Sequence, residues 1–268
     1  MVAMAVTGIS DSARLLREQY KDGSNLSARI RLHQRFSTNR YGQMRWLFDQ
    51  IRIAEDARVL ELGCGTGILW RGSVEVPRGW RVILTDMSGG MLNETRAHLA
   101  RLGRAFTYLQ ADAQSIPFRG ESFDAVIANH MLYHVPDIPR ALREIRRVLA
   151  ADGKCYAATL SLNNLRELDE MVQRFIGPRL YKAAERFGLE NGGDLMRASF
   201  AKVDLLRYPD ALEVTEAQPV MDYINSTTGH ANASDDRKAA LRQHLEAELA
   251  AHGKIHMSKD SGLFIATL

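Results

Sequence analysis

Three glycines stand at alternate positions directly after a short apolar run, and this spacing can form a binding turn for a nucleotide-like ligand. Residues 59–62 have the character of a buried strand, and Gly63, Gly65 and Gly67 follow. Glycine lets a ligand approach the main chain because it carries no Cβ. Dinucleotide folds use Gly-x-Gly-x-x-Gly, whereas here Glu61 precedes Gly-x-Gly-x-Gly. An acid there would repel a pyrophosphate and suits a cationic or amine-bearing ligand. The alternative is an ordinary strand–helix turn that binds nothing.

A second acidic residue ends the next predicted strand. Asp86 closes the run 81–85 and lies 25 residues after Glu61. A carboxylate at this position can accept two hydrogen bonds from a ribose diol, and the following Met87 could lie against an adenine. The alternative function of Asp86 is to cap the next helix, although Ser88 is also available for that.

The nine residues Val-Leu-Glu-Leu-Gly-Cys-Gly-Thr-Gly at 59–67 resemble motif I of the class I S-adenosylmethionine (SAM)-dependent methyltransferases. Within that family the chain is most similar to the type 11-like, bacterial small-molecule members. The resemblance implies SAM as cofactor, S-adenosyl-L-homocysteine as product, and contacts from the glycine turn and from the ends of the next strands. The implied cofactor contacts are Glu61, Gly63, Cys64, Gly65, Gly67, Asp86, Met87, Asp112, Ala113 and Asn129.

The family also implies how the adenine and the methionine end of the cofactor are held. In the family, an acidic side chain and a backbone amide after the third strand bind the adenine edge, and Asp112 and Ala113 occupy that place. Adenine needs one acceptor for its N6 amine and one donor for N1, which this pair supplies. Asp112 as a solvent-exposed loop acid is the alternative. The backbone of Asn129 is expected to face the methionine end of the cofactor.

Residues 129–137 resemble the motif IV region of small-molecule methyltransferases, where the methyl group and its acceptor would meet. A hydroxyl or an acidic carbon as acceptor would benefit from a general base, and histidine suits this task at neutral pH. His134 is the first candidate, followed by His130, with Tyr133 beside them. The alternative is that these histidines only pack or cap a helix. Neither the Asp/Asn-Pro-Pro-Tyr nor the Pro-Cys signature of DNA methyltransferases occurs.

The N-terminal block precedes the first strand and is similar in kind to the lid helices of the family. Residues 25–39 also resemble stretches found in bacterial methyltransferases of this broad type. Four side chains of the block are candidates to close over the cofactor and the acceptor, although aromatic residues on helices more often belong to a core. These candidates are Tyr20, His33, Phe36 and Tyr41.

Strand and helix patterns alternate from residue 58 to 160, which predicts an α/β fold with a parallel sheet. The family implies a Rossmann-like, seven-stranded, mostly parallel sheet with an antiparallel last strand and helices on both faces. We expect an N-terminal helical lid at 1–52 and a SAM-binding domain at 53–268. Cap insertions are expected at about 163–200 and 216–251, and a strand-like pair at 203–208 and 212–214.

The composition is that of a water-soluble globular protein, with 46% hydrophobic and 25% charged residues and a net charge of +3. No apolar stretch is long enough to span a bilayer, and the first residues lack the pattern of a signal peptide. Two cysteines, Cys64 and Cys155, predict a reducing cytoplasm without disulfides and show no metal-ligand spacing. We therefore expect no metal, membrane or nucleic-acid partner, and a monomer or homodimer.

The function expected from these features is transfer of a methyl group from SAM to oxygen, nitrogen or carbon of a small-molecule acceptor. A specialised metabolite is the expected acceptor, and in-line displacement is the expected mechanism. The alternatives are a SAM-binding regulator or scaffold without methyl transfer, and an RNA or protein methyltransferase. A polyamine synthase would need an acidic acceptor pocket, and a nicotinamide-dependent oxidoreductase is disfavoured by the glycine spacing and by Glu61.

Overall fold

The computed structural model describes residues 24–71, 75–180, 182–227 and 230–268. The candidate lid residue Tyr20 lies outside these ranges. None of the helices in the described ranges combines the length and apolar character that crossing a bilayer requires.

Seven strands form one sheet in the order β3-β2-β1-β4-β5-β7-β6. The pairings of β3, β2, β1, β4 and β5 are all parallel, whereas β7 runs antiparallel to both of its neighbours. This confirms the predicted sheet, including the antiparallel last strand. The strands are β1 (Arg58–Leu62), β2 (Arg81–Asp86), β3 (Thr107–Gln110), β4 (Phe123–Asn129), β5 (Leu149–Leu160), β6 (Lys202–Val214) and β7 (Ile255–Thr267).

Helices cover both faces of the sheet because the central strands are apolar on both sides. On one face α5 packs an i, i+3, i+4 stripe, from Ile138 to Val148, against the strands. On the other face α2, α3 and α4 cover a second core around Trp70. The helices are α1 (Ser24–Phe36), α2 (Gln43–Asp49), α3 (Ile68–Arg71), α4 (Gly89–Leu99), α5 (Ile138–Val148), α6 (Arg166–Phe175), α7 (Gly192–Arg197), α8 (Ala217–Asn225) and α9 (Asp235–His252).

The two C-terminal strands are longer than the sequence indicated. The predicted pair at 203–208 and 212–214 is wrong, because β6 is one strand of 13 residues that pairs with β7 along its whole length. Pro209 lies between the two predicted segments. Because β6 is an edge strand, this proline can leave its missing N–H on the unpaired side. The segment expected as a cap insertion at about 163–200 contains α6, a 3₁₀ helix at Lys182–Glu185 and α7.

A third core joins the N-terminal helix α1 to the C-terminal helices. Leu32 and Phe36 of α1 pack with residues of α6, α8, α9, β6 and β7. The segments expected as cap insertions therefore lie with α1 in one cluster beside the sheet, and the domain boundary at 52/53 stays a prediction. Because α1 and its partners are far apart in sequence, this cluster forms only when both ends of the chain have folded.

A buried ion pair fastens the loop after α1 to the strand pair β6–β7. Lys259 and Asp210 face each other across β6 and β7, with 5% and 0% of their side chains exposed. Asp210 also accepts hydrogen bonds from the Ser37 hydroxyl and from the Asn39 amide at 2.9 Å. Burial alone would raise the pKa of Asp210, but the bonds from Lys259 and Ser37 lower it overall.

We expect Lys259→Met to lower the free energy of unfolding by about 3 kcal/mol, because removing one partner of a buried pair leaves an uncompensated charge. Urea unfolding followed by circular dichroism measures the change. Lys202→Met is the matched control, since Lys202 pairs with Asp204 at the exposed surface of the neighbouring strand β6. Equal unfolding midpoints for the two variants would contradict the structural importance of the buried pair.

Candidate functional site

The three glycines of the turn after β1 all adopt positive φ angles, which side chains other than glycine rarely tolerate. A Cβ on Gly63 would lie 2.8 Å from the Met131 Cβ, and one on Gly67 would lie 2.9 Å from the Thr95 Cγ2. The turn therefore packs directly against the loop after β4 and against α4. Glycine is required at both positions by packing as well as by backbone conformation.

The turn is held by hydrogen bonds from both sides. The Cys64 amide donates to the Thr85 carbonyl at 2.9 Å, and the Gly65 amide donates to the Asp86 Oδ2 at 2.9 Å. The Thr95 hydroxyl donates to the Gly65 carbonyl at 2.6 Å. The amide and the carbonyl of Gly65 are thus both held by hydrogen bonds, so the backbone of the turn is preorganised. Cys64 and Cys155 are both buried and unpaired, which confirms that the chain has no disulfide.

Asp86 ends β2, and both of its carboxylate oxygens accept hydrogen bonds from the backbone. Oδ2 accepts from Gly65, and Oδ1 accepts from the Ser88 amide at 2.8 Å. Ser88, not Asp86, caps α4, because the Ser88 hydroxyl accepts from the Met91 amide. Burial raises the pKa of Asp86, and the backbone donors oppose that rise. Since each carboxylate oxygen has a second acceptor site, Asp86 keeps the capacity to bind a diol.

The other residues expected around an adenine lie along the neighbouring strand ends. Met87 is 42% exposed and so offers an apolar surface beside the glycine turn. Asp112 follows β3 and accepts from the Gln114 amide at 2.8 Å, while Ala113 is buried. The pairing of Asp86 with Gln110 across β2 and β3 brings these strand ends to the same edge of the sheet.

Glu61 lies inside the sheet and not on the surface of the turn. Its side chain is 1% exposed and accepts a hydrogen bond of 2.5 Å from the indole of Trp70, a partner that the sequence analysis missed. Burial raises the pKa of Glu61 to about 7, the bond from Trp70 opposes the rise, and Asp86 adds to it. A buried carboxyl with a pKa near neutrality is stabilised in its ionised form by a cation.

The end of β4 carries polar side chains that contact the N-terminal block. The Nδ2 of Asn129 lies 3.5 Å from the Met44 sulfur, and its Oδ1 is buried without a hydrogen-bond partner. His130 has a φ of 55°, and its Nε2 lies 3.2 Å from the Nε2 of Gln43, which donates to the Ser261 hydroxyl. Sequence reasoning missed Gln43 and Ser261, because polar residues of these types carry no signal of their own.

The loop after β4 is clamped by an arginine. Arg186 donates to the carbonyls of Val135 and Pro136 at 2.6 and 2.9 Å, and to that of Tyr133 at 3.3 Å. The Tyr133 and His134 rings meet edge-on at 4.5 Å. Burial, followed by the charges of Arg29 and Arg186, lowers the pKa of His134 to about 3.

His33 reaches the same polar region from α1. Its ring meets that of Tyr223 edge-on at 6.1 Å. Burial, followed by the charge of Lys259, lowers the pKa of His33 to about 3, and the same two causes lower that of His130 to about 4. All three histidines of the region are therefore neutral at pH 7 and can donate or accept a hydrogen bond without carrying charge.

The two remaining candidates of the N-terminal block, Phe36 and Tyr41, make contacts with other residues. Phe36 is buried in the third core with Leu32, where it holds α1 against the C-terminal helices. Tyr41 is half exposed, and its hydroxyl bonds to Asp49 while the Arg45 guanidinium lies over its ring at 5.4 Å. Both side chains are engaged in these contacts, so we do not include them in the proposed acceptor site.

We expect Glu61→Gln to make the protein more stable at pH 8, by about 2–3 kcal/mol. The pKa of Glu61 is about 7 in the folded state and 4.5 in a free carboxyl. Folding therefore disfavours the ionised form of the Glu61 carboxyl. As the pH rises from about 4.5 to 7, the free energy of unfolding of the wild type falls relative to that of the variant. Thermal unfolding without added ligand, at pH 5.5 and pH 8, measures the difference.

Glu55→Gln is the control for this pH dependence, since Glu55 is exposed in the loop before β1. Its melting temperature should follow that of the wild type at both values of pH. A Glu61→Gln advantage that does not change between pH 5.5 and 8 would show that the Glu61 carboxyl is not protonated at neutral pH.

Comparison with known proteins identifies the family. Residues 60–157 match the family described as methyltransferase domain. The malonyl-[acyl-carrier protein] O-methyltransferase of Halorhodospira halophila is 30% identical over 214 residues, which cover 78% of this chain and 70% of that protein. The 2-phytyl-1,4-naphthoquinone methyltransferase of Thermosynechococcus vestitus is 30% identical over 142 residues, 53% of this chain and 63% of that protein.

Among solved structures, phosphoethanolamine N-methyltransferase 2 of Haemonchus contortus, in complex with S-adenosylhomocysteine, has the same fold. The two structures align with a TM-score of 0.59 at 19% sequence identity. The alignment covers 98% of this chain and 61% of the Haemonchus chain. The resemblance first seen in the glycine turn is thus confirmed by a sequence relative over most of the chain and by the sheet order. The protein is an enzyme of the class I SAM-dependent methyltransferase family.

Proposed function

We propose that this enzyme transfers the methyl group of SAM to a small-molecule acceptor bound between the end of β4 and helix α1. The observation that carries the proposal is the position of two groups of residues on one edge of the sheet. The glycine turn with Asp86 lies at the ends of β1 and β2, and the polar residues 129–134 follow β4, directly beside β1. Ligands of open α/β sheets bind at this edge.

The residues of the turn fit the cofactor chemically. Asp86 offers acceptors for a ribose diol, exposed Met87 offers an apolar surface for adenine, and Asp112 with the Ala113 amide offers an acceptor and a donor. Glu61 places a negative charge beneath the turn when a cation favours its ionisation. The proposed cofactor contacts are Glu61, Gly63, Cys64, Gly65, Gly67, Asp86, Met87, Asp112, Ala113 and Asn129.

Asn129 is the proposed link between the cofactor and the acceptor. Its Oδ1 is buried without a partner, and a buried acceptor atom left unpaired costs about 1–3 kcal/mol. A donor supplied by a bound ligand, such as the ammonium group of an amino acid, would remove that cost. When bound, SAM supplies an electrophilic methyl group, for in-line displacement by the acceptor. The protein then has mainly to align the acceptor and exclude water.

His134 and His130 remain the proposed residues closest to the acceptor, with Tyr133 and His33. A pKa of about 3 to 4 makes an imidazole a weak base, so these rings suit hydrogen bonding to the acceptor better than removal of a proton. The general-base role predicted for His134 is therefore less favoured than a positioning role. The relatives act on malonyl-[acyl-carrier protein] and on a naphthoquinone, which supports a small or carrier-linked acceptor over a macromolecular surface.

The proposal is tested by calorimetric titration with SAM, S-adenosylhomocysteine and NAD, followed by an assay of S-adenosylhomocysteine release. The assay would offer a malonyl thioester, a naphthoquinol and a simple amine as acceptors. Micromolar binding of both sulfur nucleotides and acceptor-dependent release by one of the three is the expected result. A folded protein that binds NAD and neither sulfur nucleotide would overturn the proposal.

We expect Asp86→Ala to weaken SAM binding by about 10- to 100-fold, because the charged acceptor for the ribose diol is lost. The variant should also lose about 1–2 kcal/mol of stability, since the Gly65 and Ser88 amides lose their partner. Calorimetry and thermal unfolding of the same preparation measure both quantities.

Asp137→Ala is the matched control for Asp86→Ala. Asp137 caps α5 by accepting from the Arg140 amide, so its removal should cost about 1 kcal/mol of stability with unchanged SAM affinity. Unchanged SAM affinity in Asp86→Ala, with a lower melting temperature, would make Asp86 a purely structural residue.

A further inference from the structure

The first turn of helix α2 contacts the end of strand β4 through two pairs of neighbouring side chains. Gln43 and Met44 begin α2, whereas Asn129 ends β4 and His130 follows it. The Nε2 of Gln43 lies 3.2 Å from the Nε2 of His130, and the Nδ2 of Asn129 donates to the Met44 sulfur at 3.5 Å. Helix α2 therefore lies against the sheet edge at which the acceptor is proposed to bind.

The backbone of His130 adopts a conformation that is rare for a residue with a side chain. Its φ of 55° lies in the left-handed region. The His130 amide donates to the Ala158 carbonyl at 3.1 Å, which holds this conformation against the neighbouring strand β5. Backbone conformations of this kind persist only where the surroundings fix them, and they cluster at functional sites. The strained residue is also the one that Gln43 contacts.

The contact with Gln43 determines which nitrogen of the His130 ring carries the hydrogen. The amide nitrogen of a glutamine has two hydrogens to donate and accepts none. At 3.2 Å, the Nε2 of His130 is therefore the acceptor of this hydrogen bond. A ring whose Nε2 accepts is neutral and carries its hydrogen on Nδ1. This agrees with the pKa of His130, which burial and then the charge of Lys259 lower to about 4.

The second hydrogen of the Gln43 amide is used by the sheet itself. It is donated to the hydroxyl of Ser261 at 3.0 Å, and Ser261 is 1% exposed. Ser261 lies in β7 and pairs with Leu160 of β5 and with Tyr208 of β6, so both neighbouring strands fix its position. Because both donors of the amide have partners, Gln43 is held in one orientation, and so is its contact with His130.

We propose that Gln43 is a positioning residue, whose amide holds the His130 imidazole in the tautomer with its hydrogen on Nδ1, so that His130 meets the acceptor as a hydrogen-bond donor. The tautomer of an imidazole is set by the hydrogen bond at its other nitrogen, and here that bond comes from helix α2. The role in acceptor binding rests on the proposed methyl transfer, whereas the tautomer follows from the described contacts alone.

The proposed tautomer restricts what His130 does in the reaction. Nε2 is occupied by Gln43 and Nδ1 already carries a hydrogen, so neither nitrogen can remove a proton from the acceptor. A ligand hydrogen-bonds to this ring only by offering an acceptor atom to Nδ1, such as the oxygen of a carbonyl, a hydroxyl or a carboxylate. His130 is thereby assigned to orienting an oxygen of the acceptor. An ammonium group has no acceptor atom and gains no hydrogen bond from this ring.

Long-range proton–nitrogen NMR correlation of the isotope-labelled, ligand-free enzyme at pH 7 reads the tautomer of each histidine, and His130→Gln identifies the signals of His130. We expect the Nδ1–H form, the opposite of the tautomer that predominates in a free neutral side chain. Gln43→Glu replaces both donors by acceptors and should change the ring to a form with a hydrogen on Nε2. Gln43→Leu should give a mixture of the two tautomers, because nothing replaces the lost donor.

Gln50→Leu is the matched control, since Gln50 caps the other end of α2 and donates to the Trp46 carbonyl at 3.1 Å. It should leave the signals of His130 unchanged. With the acceptor that supports release of S-adenosylhomocysteine, Gln43→Leu should raise the KM for that acceptor about tenfold, and Gln50→Leu should not change it. Thermal unfolding checks that each variant is folded.

A hydrogen on Nε2 of wild-type His130, which a reversed Gln43 amide would require, would overturn the inference. Equal responses of the His130 signals to Gln43→Leu and Gln50→Leu would do the same, and an unchanged acceptor KM in Gln43→Leu would remove the positioning role. Calorimetry measures S-adenosylhomocysteine binding separately. When the Nδ1–H tautomer is found and S-adenosylhomocysteine does not bind to the folded enzyme, the proposed function fails and the tautomer stands.

Discussion

The carboxylate of Asp86 connects three parts of the chain that must be in register for the site to exist. It ends β2, accepts the Gly65 amide of the turn after β1, and accepts the Ser88 amide at the start of α4. The turn is then closed from the other side by Thr95 of the same helix. Because these bonds involve charged or buried partners, they fix the backbone before any ligand arrives, and binding needs little further ordering.

The sheet and the turn could be predicted from sequence because their signals are local. Apolar runs, alternating elements and the glycine spacing identified β1, β2 and the family. The two separate segments expected at 203–208 and 212–214 were wrong, because whether a strand tolerates Pro209 between them depends on its place at the sheet edge. That place is decided by β7, which lies some 50 residues further along the chain.

The acceptor side could be predicted only in part, since its polar contacts join residues far apart in sequence. Gln43 meets Ser261 across 218 positions, and Arg186 reaches the carbonyls after His134 across about 50. Histidines could be singled out by type, but their low pKa values arise from burial under α1 and from cations supplied by α1, β7 and the segment after α6. No local pattern encodes that environment, so the general-base role of His134 stays a prediction.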